Sequence, residues 1–207
     1  MKLGLCCIST SLKKQGLKFQ KMTYSRFKSL PRDEALSILS DRILNNLQVT
    51  NKIIKFCYDN KMSSYRMSSD LFPVINHPDV NISLDQLPAS FYIFNELSSI
   101  RKTIKETKLK ITAHPSEYIS LTSENEKVIQ NSITDLKTHA NLFDWLDLPK
   151  SYEAPLNIHC RKDGDPEEIS SRFMSNFEKL PYEVATLLID VSESEIAYNL
   201  ESDTEWD

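Results

Sequence analysis

The stretch Leu109-Lys110-Ile111-Thr112-Ala113-His114 decides how this chain reads. Apolar and polar residues alternate in it with the period of two that a half-buried strand requires, and it ends on a histidine. Beyond it, residues 123–146 carry apolar side chains at helical spacing, with Ser123 at the N-cap position and Glu126 at capping-box distance. A second short run, Leu156-Asn157-Ile158-His159, again ends on a histidine. Strand, helix and strand in that order predict a parallel pair joined by a right-handed crossover, with both histidines at strand C-termini.

Outward from this unit the same pattern recurs. Apolar runs at residues 2–8, 64–68 and 185–190 complete a set of five predicted strands, with those at 109–113 and 156–159. Helical patterns fill residues 33–60, 87–104, 123–146 and 166 to about 180. The first follows a Pro31-Arg32-Asp33-Glu34 start, and Glu167 and Glu168 suit the N-terminus of the last. The class is therefore α/β with a parallel sheet, either a (β/α) barrel with decorated loops or an open doubly wound sheet. Only three glycines occur, and no glycine-rich loop follows a strand, so a dinucleotide or P-loop site is excluded.

The 207 residues suffice for one domain with a core, read as residues 1–189, followed by an acidic tail at 190–207. Apolar residues make up 40% and charged residues 26%, and no apolar run approaches the roughly 18–20 residues of a membrane span. The expected compartment is the cytoplasm: residues 3–8 read as a strand rather than an export signal, and the four cysteines include no CxxC pair. Cys6 and Cys7, adjacent in a predicted strand, should point to opposite faces and make poor partners for each other. The net charge of −4 conceals an asymmetry. Residues 1–61 hold 12 Lys and Arg against 4 Asp and Glu, whereas residues 180–207 hold 8 acids and no Lys or Arg. A basic N-terminal third suits a polyanion partner.

Three of the four histidines, His77, His114 and His159, fall at or just beyond strand ends, where α/β folds place their chemistry. Two imidazoles at successive strand ends are candidate ligands of a divalent metal. Such a centre also needs carboxylates, for which Asp190 and Glu193 are the candidates. His139 lies inside a helical pattern and reads as structural.

The order of motifs resembles the UV damage endonuclease family. The likeness rests on Leu3-Gly4, on Tyr65-Arg66-Met67-Ser68-Ser69-Asp70-Leu71-Phe72-Pro73, and on His114-Pro115-Ser116-Glu117-Tyr118. It continues through Ile158-His159, Arg172-Phe173, Asn176-Phe177 and Leu180-Pro181, and so spans roughly residues 1–188. The resemblance implies a TIM-type (β/α) barrel related to endonuclease four, here with about five of its strands. It further implies a divalent-metal cofactor (manganese first, zinc or magnesium as alternatives) and a double-stranded DNA substrate cut 5′ to UV photoproducts. By the same likeness His114 and His159 match metal ligands, His77 lines the same pocket, and Glu117 and Tyr118 match a pair that probes the damaged dinucleotide. Arg66, Lys13 and Lys14 are candidates for holding the DNA backbone, Arg66 having an inward salt bridge as its alternative role.

The sequence also departs from the family. A tyrosine near Leu5 and an asparagine near Ser9 are replaced, Val191 beside Asp190 stands where a metal-bridging glutamate is expected, and the family runs on through three more strands. Two readings account for this: a truncated or frameshifted product, which is the preferred one, or a shortened variant that closes its site with Asp190 or Glu193, or by self-association. Rival functions are a metal-dependent sugar isomerase or epimerase on the same architecture, which the basic N-terminal third disfavours, and a non-catalytic DNA-binding remnant.

Overall fold

The computed structural model describes residues 3–116, 118–151, 153–158, 165–185 and 187. Strands β1 (Gly4–Cys6), β2 (Ser64–Met67) and β3 (Lys110–Ala113) form a sheet in the order β1-β2-β3, and β1 and β2 are parallel in the register Gly4↔Ser64, Leu5↔Tyr65, Cys6↔Arg66. The helices are α1 (Thr10–Lys14), α2 (Tyr24–Lys28), α3 (Arg32–Asp59), α4 (Ser90–Thr107), α5 (Glu126–Leu146) and α6 (Pro166–Phe177). The chain divides into two compact units: residues 1–111 with 145–147, and residues 112–144 with 148–207.

The first unit is built on α3. Ala35, Leu39, Ile43, Leu47, Ile54 and Cys57 recur at helical spacing and are wholly buried. Asp33 and Glu34 lie in its first turn, where carboxylates oppose the positive end of the helix dipole. The helix ends in a Schellman motif: the Lys61 N–H donates to Tyr58 O and the Met62 N–H to Cys57 O, both at 2.9 Å. Such an end needs a left-handed residue, usually glycine. With glycine scarce, Lys61 takes it at φ 56°, and Lys108 closes α4 in the same way at φ 52°. A polar tie joins α3 to α4, where Asn51 Nδ2 donates to Glu96 Oε1 (2.8 Å) and Thr103 Oγ1 donates to Asn51 Oδ1 (2.8 Å).

The strand alternation is clear in β2. Tyr65 and Met67 are buried, and Ser64 and Arg66 are half-buried on the other face. Gly4 sits opposite Ser64 so closely that a Cβ on it would clash with Ser64 Oγ. The Gly4, Cys6 and Lys110 face of the strands is exposed.

In the second unit α5 buries Ile129, Ile133, Leu136, Ala140 and Phe143. Asn176 on α6 donates to Leu121 O at 2.8 Å, and Arg172 pairs with Glu124 at 2.9 Å. His139 is structural, as expected: its Nδ1 lies 3.0 Å from Asp135 O and 3.3 Å from Asp135 Oδ2.

Several expectations are corrected. Among the described residues the run at 156–159 contributes a single parallel bridge, Ala113↔Leu156, rather than a strand. The predicted strand at 185–190 is helical in its described part, residues 185 and 187, because Pro181 opens a turn in which its carbonyl accepts from the N–H groups of Val184 and Ala185. Residues 188–190 and the tail at 190–207 lie outside the described residues. The α5 N-cap is not Ser123. Asn125 Oδ1 accepts from the Lys127 N–H (2.9 Å), and Ser123 accepts from Asn125 N, so the helix starts three residues after Ser123. The most consequential correction concerns Cys6 and Cys7, whose sulfurs lie 3.6 Å apart. Cys7 leaves the strand at φ 57°, which breaks the alternation that would have separated them.

Candidate nucleic-acid and metal site

In the first unit the candidates surround the segments that follow β1 and β2. After β1, Ser9 caps α1, its Oγ accepting from the Leu12 N–H, so the hydroxyl at this position serves the fold. Lys13 and Lys14 sit exposed in the last turn of α1, where cations oppose the negative end of the helix dipole. Arg66 lies half-buried on β2 beside Cys6, and among the described residues it makes no ion pair.

A clamp that the sequence reading missed joins these two segments. Asn46, fully buried on α3, accepts from the Gln20 N–H at 2.7 Å and donates to Gln20 O (3.0 Å) and Asp70 O (2.8 Å). Lys21 adds an ion pair to Asp70 at 3.2 Å. One side chain thus pins the lysine-rich loop to the Ser68-Ser69-Asp70 turn. The available signal was a polar residue between Ile43 and Leu47 on an otherwise apolar helical stripe.

His77 is held from two sides. Its ring stacks on Tyr24 with centroids 3.7 Å apart and planes at 9°. Its Nδ1 accepts from the Asp79 N–H at 3.2 Å. The Asp79 carboxylate, interacting with the Tyr24 hydroxyl, is the main reason the Tyr24 pKa is raised. A neutral imidazole whose Nδ1 is an acceptor carries its proton on Nε2. In that tautomer His77 presents an N–H donor, which suits an anion such as a phosphate oxygen.

His114, in the second unit, has the opposite polarity. It directly follows β3, and its Nδ1 lies 2.7 Å from Pro115 O. A carbonyl only accepts, so Nδ1 is protonated and the ring lone pair resides on Nε2, the tautomer that suits a metal-ligating imidazole. Tyr118 stands four residues on, 81% exposed. A ring exposed in this way is available to stack against an unpaired base. His159, Glu117, Asp190 and Glu193 lie outside the described residues. Among the described residues no group of three His, Cys, Asp or Glu side chains is placed to hold a metal ion. No described helix is long and apolar enough to cross a membrane.

Comparison with known proteins gives this arrangement a family. The family model described as UV-endonuclease UvdE matches residues 1–202, further than the residue 188 at which the sequence resemblance ended. A UV DNA damage endonuclease of a Nostoc species is 31% identical over 199 residues, covering 96% of this chain and 58% of its own. The UV DNA damage endonuclease of Bacillus mycoides is 29% identical over 164 residues, covering 79% of this chain and 50% of its own. The crystal structure of SacUVDE superposes with a TM-score of 0.72 at 28% identity, covering 91% of this chain and 59% of that one. The chain thus spans between half and three-fifths of the length of the relatives it matches. On this evidence, the chain belongs to the UvdE family of UV endonucleases.

Proposed function

We propose that this chain carries the N-terminal part of a metal-dependent DNA-repair endonuclease that cleaves the phosphodiester backbone 5′ to UV photoproducts. The observation that carries the reading is the family match over residues 1–202. The parallel strands, with His114 at the end of β3, are read as the opening strands of a TIM-type barrel, whose site would lie at the strand C-termini.

His114 Nε2 fits a divalent cation, manganese first, with His159 as the second candidate ligand and Asp190 and Glu193 as candidate carboxylates. A bound cation of this kind acts as a Lewis acid on phosphate and lowers the pKa of water. The chain's own residues supply the rest. Lys13, Lys14 and Arg66 neutralise backbone phosphates, and the His77 Nε2–H donates to a phosphate oxygen. Tyr118, with Glu117 beside it, enters the stack where the photoproduct has weakened it.

The test is nicking of UV-irradiated plasmid by the purified chain with added manganese. Weak nicking that depends on irradiation and is abolished in His114→Ala is the expected result. Equal nicking of undamaged plasmid, or nicking unchanged in His114→Ala, would overturn the reading.

A further inference from the structure

Cys6 and Cys7 form a feature that the endonuclease reading does not use. In a regular strand adjacent side chains point to opposite faces, and their sulfurs cannot meet. Here the sulfurs lie 3.6 Å apart, Cys6 exposed and Cys7 half-buried. The backbone that brings them together is fixed at several points. The Cys7 N–H donates to Arg66 O at 2.9 Å, and the Ile8 N–H donates to Cys6 O at 2.8 Å, closing a three-residue turn with Cys7 at its centre and φ 57°. The hydroxyl of the buried Tyr65 donates to Cys7 O at 3.0 Å. A left-handed backbone at a non-glycine residue is costly and persists only where its surroundings enforce it.

We propose that Cys6 and Cys7 are a vicinal dithiol that a hydroperoxide oxidises to a disulfide between adjacent residues. Cys6 is the attacking sulfur, because it is the exposed one and shares its register position with Arg66. Its thiolate attacks the peroxide: a sulfur–oxygen bond forms, the oxygen–oxygen bond breaks, and an alcohol or water leaves, giving a sulfenic acid on Cys6. The Cys7 sulfur then attacks Cys6, forming the sulfur–sulfur bond and expelling water. The two thiols lose two electrons and two protons, and the hydroperoxide takes them up. Burial and the hydrogen bond to Cys6 raise the Cys7 thiol to about 11, which keeps it protonated and assigns it the second step. Closure asks the sulfurs to approach by about 1.5 Å to reach bonding distance. Adjacent Cα atoms are closer than in ordinary disulfides, so the product is strained and readily reduced.

The experiment treats the full native chain with a small excess of hydrogen peroxide, alkylates in denaturant without reductant, and digests with trypsin. Residues 3–13 form one tryptic peptide that contains both sulfurs and neither Cys57 nor Cys160. The expected result is an unalkylated 3–13 peptide two mass units below the dithiol, which takes up two alkyl groups after dithiothreitol. In Cys7→Ser, Cys6 stops at the sulfenic acid and is trapped by dimedone, whereas the native chain is not. The proposal is overturned by a sulfinic acid on Cys6 with Cys7 still alkylated, or by either sulfur cross-linked to Cys57, Cys160 or another chain. It is equally overturned if urea-unfolded chain forms the same product at the same rate, since the turn would then contribute nothing. The outcome is independent of whether the chain cuts DNA.

Discussion

Replacing Asn46 with alanine removes the buried side chain that hydrogen-bonds both to the lysine-rich loop and to the turn after β2. Its three shortest hydrogen bonds to those segments go, at 2.7, 2.8 and 3.0 Å. Each such bond contributes about 1 kcal/mol net, and a partner left buried and unpaired costs more, about 1–3 kcal/mol. Gln20 is exposed and Asp70 half-buried, so water re-solvates much of what is freed. The total expected is about 3 kcal/mol, a large share of the 5–15 kcal/mol typical of a domain. Urea unfolding at 25 °C reads the loss, and amide hydrogen exchange localises it to residues 18–22 and 68–72. Asn46→Asp refines the test: it keeps an acceptor for the Gln20 N–H but sets a carboxylate against Asp70 O, so it should be at least as damaging. A loss under about 0.5 kcal/mol in Asn46→Ala, or a larger loss with exchange in both segments unchanged, would refute the clamp.

Four further outcomes follow from the same geometry. Burial alone would lower the pKa of His139, but the hydrogen bond, charge and carbonyl of Asp135 outweigh it and raise the net value. The stabilisation is therefore complete below the unfolded imidazole pKa of about 6.5 and is lost as pH rises through the higher folded value; urea midpoints from pH 5.5 to 8.5 should fall more steeply in the native chain than in Asp135→Asn. Lys61→Gly relieves the left-handed backbone at the end of α3 and should stabilise by about 1 kcal/mol in thermal or urea unfolding, because glycine alone carries no Cβ penalty there. Tyr24→Phe keeps the ring stacked on His77 but drops the Asp79 bond, so it should weaken DNA binding less than Tyr24→Ala in a fluorescence titration. In the same assay Lys13→Ala with Lys14→Ala should flatten the salt dependence of DNA affinity by about two in log–log slope, near 0.9 per lost phosphate contact.

Much of the frame was legible before any coordinates. The α3 stripe from Leu39 to Cys57 and the β2 alternation at 64–67 are periodic patterns, and period is a local property of sequence. The position of His114 at a strand end was legible for the same reason. Other features were set by distant partners. Asn46 stands out as a polar residue on an apolar stripe, but only the fold brings Gln20 and Asp70 to it from 26 and 24 residues away. Tyr24 and Asp79 acquire meaning only beside His77. Ala185 reads as the start of a strand, but a proline-led turn makes it helical.

The sequence by itself determined the class, the family and which histidines could carry chemistry, because those depend on residue type and spacing along the chain. Only the tertiary structure decided how each is held. His77 Nδ1 accepts from a backbone amide while His114 Nδ1 meets a carbonyl, so the two rings are held as opposite tautomers. The same holds for Cys6 and Cys7. Strand periodicity separates them, and a single left-handed residue, held by Arg66 and Tyr65 from the neighbouring strand, brings them together. Hydrogen bonds from distant segments outweigh local preference there, and that competition is settled only when the chain has folded.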